Sequence, residues 1–298
     1  MVRAKFWENI GKDKVVKYFL IIPVVLVLFG VVIYPFAYSV WLSLHDVTIM
    51  NYFHPPFSGV DNFFRIFRDS FFWNSIRVTF TYVLVTTGIE LVLGFFLASL
   101  MNRNVKGTNI FIYPLIVPLA LSPIVVGLMF RMGLNRLYGP ISYYLGLLNL
   151  PRALLSNVST ALPTLMAIDI WQWTPFVFVI LYAGLQALPK DPFEAALIDG
   201  ASGWHRLLYI TLPLLKPVLA VAIIFRIMDS FKTFDIVFIL TKGGPGKSTE
   251  TITIFIQRMA NVQGNVGLGA ATTLFVLVFI TVFAQFYVKY LSLGEKKR

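Results

Sequence analysis

From Tyr18 to Leu44 the chain carries no charged side chain, and the same is true from Ile110 to Phe130. A bilayer core of about 30 Å asks a helix for roughly 20 consecutive apolar residues. Inside hydrocarbon a single segment must satisfy every N–H and C=O by itself, which makes it an α-helix. The whole composition agrees, with 57% hydrophobic and 13% charged residues and a mean hydropathy of +0.76, far from soluble domains. The expected class is all-α integral membrane, with six transmembrane helices at about 18–44, 78–101, 110–130, 161–188, 214–240 and 270–288. Together they make one transmembrane domain over 1–298.

Six spans put both termini on one side. Fourteen of the 25 Lys and Arg fall in the N-terminal region, the loops at 102–109 and 189–216, and the C-terminus. The three alternate loops are longer in total and hold nine, with Arg226 and Lys232 inside the fifth span. The positive-inside rule therefore predicts both termini and the loop at 189–213 to be cytoplasmic. It also accounts for the net charge of +11, since the basic residues flank apolar runs rather than lining one face as nucleic-acid binding would require. Arg3, Lys5, Lys12, Lys14 and Lys17 precede an apolar run too long for a secretory segment of about 7–15 residues, so a retained span is expected.

Prolines and turn residues shape the rest. Pro23 and Pro35 lie in the first span, and Pro114, Pro118 and Pro123 in the third, which is therefore not expected to be straight. Pro55-Pro56 and Ser58-Gly59 mark a turn, and the aromatic stretch from Phe63 to Phe72 reads as an amphipathic helix at the interface. Residues 131–160 alternate turns with short apolar pieces.

The longest polar-bearing segment between apolar runs is Asp191–Pro217. Asp191 suits an N-cap, Pro192 the first helical position, and Glu194 the third residue of a capping box. Gly200 predicts a left-handed stop, Ser202 a second cap, and Pro213 and Pro217 a bend. Glu194-Ala195-Ala196, Asp199-Gly200, Ile210 and Leu212-Pro213 resemble the Glu-Ala-Ala coupling loop of the membrane permease subunits of ABC importers. The resemblance implies a cytoplasmic loop whose short helix fits a groove on an ATP-hydrolysing partner.

The fifth span carries Arg226, Asp229, Lys232 and Asp235, each three residues apart. Charges at bilayer depth cost about 2.5–3.5 kcal/mol each and usually face a bundle interior or a water-filled path. The spacing permits ion pairs along one half of a helix surface, which fits both a packing role and a path for solute. Glu90 and Asp169, lone acids in their spans, either line such a path or pair with Arg226 or Lys232. Trp171, Gln172 and Trp173 suit either a solute contact or an interfacial anchor.

Asp229-Ser230-Phe231-Lys232-Thr233-Phe234-Asp235, followed by Leu240-Thr241-Lys242-Gly243-Gly244-Pro245 and Thr249, is similar to the fifth-span signature of carbohydrate-type permeases, in particular the larger permease subunit of maltose-type transporters. Tyr34-Pro35-Phe36-Ala37-Tyr38-Ser39 and Gly59-Val60-Asp61-Asn62-Phe63 extend the resemblance to the first span and first outer loop; His45 departs from it. Phe231 and Phe234 beside the charges suit a sugar, held by aromatic faces and a few polar groups. The resemblance implies uptake of a carbohydrate by alternating access, in the cell membrane of a prokaryote. It also implies a second permease subunit, two ATP-binding subunits that carry ATP and Mg, and an extracytoplasmic substrate-binding protein, with no cofactor in this chain.

Other chemistry has little support. Without cysteine, thiolate sites and disulfides are excluded, and His45, His54 and His205 are too scattered for a metal site or a triad. Gly246-Lys247-Ser248 lacks the glycine that a P-loop needs five residues earlier, where Thr241 stands. An ion-coupled secondary transporter using Glu90, Asp229, Lys232 and Asp235 is the competing class, and a scaffold without transport the third.

Overall fold

A computed structural model describes residues 14–102 and 108–295. Arg3, Lys5, Lys12, Arg103, Lys106, Lys296, Lys297 and Arg298, all used in the charge argument, lie outside the described residues. Among those described the secondary structure is helical, with two isolated β-bridges and no strand. Five helices are long and apolar enough to cross a bilayer, or six with a bent pair taken as one span.

The chain divides into two compact units, 1–68 with 259–276 and 69–258 with 277–298. The first holds α1 (Lys14–Leu28), a π-helical turn (Phe29–Ile33), α2 (Tyr34–Ser43), α3 (Asp61–Arg68) and the opening of α14 (Val266–Glu295). Pro35 explains the π turn. A proline has no N–H and its ring collides with the carbonyl four residues back; the turn widens so that Tyr34 N–H bonds to Phe29 O instead. The loop after α2 is closed by Asn62, whose amide donates to Ser43 O at 2.8 Å and His45 O at 2.9 Å. Ile49 N–H and Gly267 N–H then bond to Gly264 O and Val47 O, each at 3.0 Å. Of the helix expected over Phe63 to Phe72, Phe63, Phe64, Ile66 and Phe67 fall in α3, while Phe71 and Phe72 belong to the helix that Asp69 caps.

The second unit holds α4 (Ser70–Met101), α5 (Thr108–Ala120), α6 (Pro123–Gly133), α7 (Pro140–Leu147), α8 (Val158–Gln186), α9 (Asp191–Ile198), α10 (Gly203–Arg206), a π turn (Leu207–Thr211), α11 (Leu212–Ser230), α12 (Asp235–Leu240), α13 (Ile252–Gln257) and the rest of α14. Asp69 caps α4 by accepting Phe71 N–H at 2.8 Å, and Asn157 caps α8 by accepting Ser159 N–H at 3.0 Å. The third span is two legs, Ile110–Ala120 and Pro123–Gly133, at 95°. Pro123 forces Ser122 out of the helical region, to φ −62°, ψ 138°.

The fifth span also breaks, where one helix over 214–240 was expected. α11 ends at Ser230, and its last turns tighten as Lys232 and Thr233 N–H bond to Asp229 and Ser230 O. Thr233 O is then taken by Thr253 Oγ1 at 2.6 Å. Phe231 is buried edge-on against Phe80, at 5.4 Å between ring centroids. Lys232 and Asp235 thus leave the helical face of Arg226 and Asp229, so the expected row of four charges exists only as the Arg226–Asp229 pair.

Two apolar clusters hold this unit. Tyr82, Leu165, Met166, Ile168, Val237 and Ile254 belong to one; Ala98, Val177, Phe178, Leu181, Leu215 and Ala222 belong to the other. Gly94 permits the close approach of α4 to α8, for a Cβ there would stand 2.8 Å from Val177 Cγ1. Along α4 and α8, Glu90 and Asp169 lie between the clusters.

Candidate functional site

Arg226 is completely buried, as are Glu90 and all but 1% of Asp169. They come from α11, α4 and α8. The guanidinium grips Glu90 with two donors: Nε to Oε2, and Nη2 to Oε1 at 2.8 Å. Nη2 also donates to Asp169 Oδ2, and Nη1 to Asp229 Oδ2 at 3.1 Å. The Trp173 ring lies 5.2 Å from Cζ, a cation–π contact. A buried charge survives only when paired and hydrogen-bonded, and a rigid fork of five donors is suited to several carboxylates at once. Of the two roles open to Glu90 and Asp169, pairing with Arg226 is what the structure contains.

Beside this cluster lies a cavity of about 100 Å³, lined by Pro123, Asp169, Trp173, Asp229, Lys232, Thr233, Phe234, Asp235 and Ile236. Six of the ten residues proposed for a solute path meet there: Asp169, Trp173, Asp229, Lys232, Phe234 and Asp235. Glu90 stands behind the wall. Phe231 packs into the interior, and Gln172 is buried with its Nε2 donating to Leu121 O at 3.1 Å. Trp171 lies edge-on to Phe130 and faces a second, apolar hollow with Pro114 and Pro118. Trp171 and Trp173 are two positions apart, about 200° around an α-helix, so one tryptophan of the pair reaches the cavity and the other cannot. The cavity offers carboxylate acceptors, an ammonium donor and aromatic faces. It is smaller than the roughly 300–1,000 Å³ of ligand pockets, so a solute passes only if the walls move.

Segment 189–217 is helix, glycine turn, helix. One detail differs: Lys190 occupies the cap position and no side chain bonds there, so Asp191 and Glu194 form no capping box. Both acids instead sit in the first turn, where they complement the helix dipole. Gly200 has φ +73°. Gly200 N–H bonds to Leu197 O at 3.1 Å and Ala201 N–H to Ala196 O at 2.9 Å, a Schellman stop. Ser202 Oγ then accepts His205 N–H at 3.2 Å. The chain continues as helix from Gly203 to Ser230, widened to a π turn ahead of Pro213, where Leu212 N–H reaches Leu207 O. Proline 35 and proline 213 thus receive the same accommodation. Glu194, Ala195 and Asp199 are exposed, Ala196 is buried, and Ile210, Leu212 and Pro213 are half-buried. Leu197 and Ile198 are 57% and 88% exposed, an apolar knob at the end of a short helix.

The stretch from Thr241 to Thr251 is tied together by hydrogen bonds within itself. Thr249 Oγ1 donates to Gly244 O at 2.7 Å and lies 2.8 Å from Thr241 Oγ1. The N–H groups of Gly244, Ser248, Thr249 and Glu250 are spent on the loop's own carbonyls, not turned outward as a phosphate cradle requires. Buried Glu250 pairs with Arg258, and Lys247 sits over the Phe71 ring. Desolvation and then the Arg258 charge hold the Lys247 ammonium below the ordinary lysine value. No periodicity announces the Glu250–Arg258 pair, because a helix and a turn separate its partners.

The family described as the binding-protein-dependent transport system inner membrane component matches residues 90–292. The chain is 37% identical over 283 residues to the trehalose/maltose transport system permease protein MalF of Thermococcus litoralis, covering 94% of each chain. It is 30% identical over 272 residues to the trehalose transport system permease protein SugA of Mycobacterium tuberculosis, covering 91% of this chain and 87% of that one. Its fold is similar to a chain of a bacterial ABC transporter involved in import of the acidic polysaccharide alginate, with a TM-score of 0.80 at 20% identity, covering 96% of this chain and 98% of that one.

Proposed function

The chain belongs to the family of binding-protein-dependent transport system inner membrane components, and from that membership we propose that it is one permease subunit of an ATP-driven importer of a sugar or related carbohydrate. It spans the membrane several times and is a transport component rather than an enzyme. In this reading both termini and segment 189–213 face the cytoplasm, in agreement with the sequence charge bias. The six spans are those read from the sequence, with the third bent and the fifth broken. ATP and Mg belong to two partner ATPase chains, a second permease completes the pathway, and an extracytoplasmic binding protein delivers the sugar. The names of the relatives and the hydroxyl-matching groups of the cavity support a carbohydrate.

The observation that carries the coupling step is α9 itself. A short helix, stopped by a Schellman turn at Gly200, displays Leu197 and Ile198 away from the chain's own core. An apolar knob of this kind has its use in a groove on a partner. Glu194, Ala195, Ala196, Asp199 and Gly200 shape the knob, and Ile210, Leu212 and Pro213 join it to α11. Closing of the ATPases on ATP moves α9, and the cavity between Trp173, Phe234 and the aspartates opens on one side and then the other. A ligand drives such a switch only through contacts that differ between the two states; α9 makes them. The ion-coupled alternative is disfavoured, since Glu90, Asp169 and Asp229 are engaged by Arg226. Purification of the chain with its native partners tests the reading: an ATPase should accompany it, and Glu194→Lys should release or uncouple that ATPase.

A further inference from the structure

Glu90, Asp169 and Arg226 stand on three helices, and of these only α11 is continuous with the proposed coupling segment. From Gly203 the chain remains helical through the π turn to Ser230, and Arg226 lies one turn before that end, on the order of 35 Å from Gly203 at about 1.5 Å per residue. We infer that Arg226 is the joint through which a displacement of segment 191–213 reaches the cavity, a positioning residue rather than a solute contact. The inference rests on the coupling reading above.

Two observations carry it. A guanidinium bonded at once to Glu90 on α4 and Asp169 on α8 cannot travel with α11 unless those helices follow or the bonds break. Its fork is planar, so it transmits direction as well as force. Then Asp169 and Asp229, both held by Arg226, are both cavity walls, so moving the guanidinium moves both walls together. Cohesion alone does not account for the arrangement. A well-packed apolar trio holds helices together as well as, or better than, a buried ion cluster. What it cannot do is hold specific carboxylates to one moving helix.

The chain has no cysteine, so label read on this chain after the complex is separated reports the introduced thiol. In the complete native complex, Lys190→Cys, at the exposed start of α9 and outside the knob, reports α9 and Thr233→Cys reports the cavity. Each is placed in the Arg226 chain and in the charge-free triple variant Glu90→Gln, Asp169→Asn, Arg226→Met, and maleimide labelling is timed with and without ATP plus vanadate. With Arg226 present, both thiols should change reactivity on nucleotide. In the triple variant Lys190→Cys should still respond, while the response at Thr233→Cys falls at least about fivefold, the lower end of ordinary coupling factors. An undiminished response at Thr233→Cys overturns the inference and leaves the cluster a packing device. Arg226→Lys keeps the charge but loses the two-donor grip, so it should give an intermediate response at Thr233→Cys. It carries the test if the triple variant fails to assemble, and a full response there also overturns the inference. Silence of both thiols in the Arg226 complex takes down the coupling reading, and this inference with it.

Discussion

Replacement of Gly200 isolates backbone conformation from contact. The residue has φ +73°, and a Cβ added there meets nothing within 4 Å. Steric cost against neighbours is therefore absent, and only the left-handed backbone remains, at about 1–2 kcal/mol for an ordinary residue. A β-branched residue is worse, whereas Asn tolerates this region. Relaxing to the right-handed region sacrifices the bonds from Gly200 to Leu197 and Ala201 to Ala196, about 0.5–1.5 kcal/mol each. Gly200→Ala thus shifts the balance between a closed and a frayed end of α9 by a factor of about 5–30. The assay is ATP-dependent uptake, by membrane vesicles, of a carbohydrate that the parent chain is first shown to carry, normalised to the subunit present in the membrane. Uptake should rank Gly, Asn, Ala, Val from highest to lowest, with normal membrane insertion throughout. Gly200→Asn as damaging as Gly200→Val, or normal uptake with Val, refutes the reasoning.

Arg226→Met alone leaves Glu90 and Asp169 buried without their cation and should destabilise the extracted protein by about 3–5 kcal/mol; adding Glu90→Gln and Asp169→Asn should recover most of the loss in thermal unfolding, and equal stability of the single and triple variants contradicts this. Gly94→Val places a side chain 2.8 Å from Val177 and should cost about 1–3 kcal/mol by overpacking, while Gly88→Val, with nothing within 4 Å, should be close to neutral in the same measurement. Lys247 binds its proton less readily folded than unfolded, so the unfolded chain holds more protons between the lowered value and 10.5 and folding gains as pH rises through that window. Relative to Lys247→Met, unfolding of the parent should shift to higher temperature on going up through the window; a flat difference contradicts it.

Much of this was legible because the bilayer makes sequence speak plainly. Apolar runs holding at most one acid each located α1–α2, α4, α8 and α14, and Gly200 and Ser202 announced their turn and cap through local chemistry alone. Where the reading failed, the deciding partner was distant in sequence. The capping box at Asp191 was formally present, yet the helix begins one residue earlier than that pattern requires. The fifth span read as one helix because its residues are apolar and regularly charged; Thr253, twenty residues on, takes the carbonyl of Thr233 and helps hold the break. The three-residue spacing of charges announced the Arg226–Asp229 pair but not the loss of Lys232 and Asp235 from the row, and the pairing of Arg226 with Glu90, 136 residues away, was one of two roles that the sequence left open. Of Trp171, Gln172 and Trp173, only Trp173 reaches the cavity, a distinction of helical phase that needs the neighbouring helices to be known. Glu250 and Arg258 gave no signal, since neither spacing nor composition marks a pair whose partners stand at opposite ends of a short helix.

The central claim is that this subunit is driven by a separate ATPase through α9. Affinity purification from the native membrane, followed by ATPase assay with Glu194 and with Glu194→Lys, tests it most directly. The account predicts an associated ATPase that the substitution releases or uncouples from transport. A pure chain without ATPase activity that still moves solute down an ion gradient would contradict it.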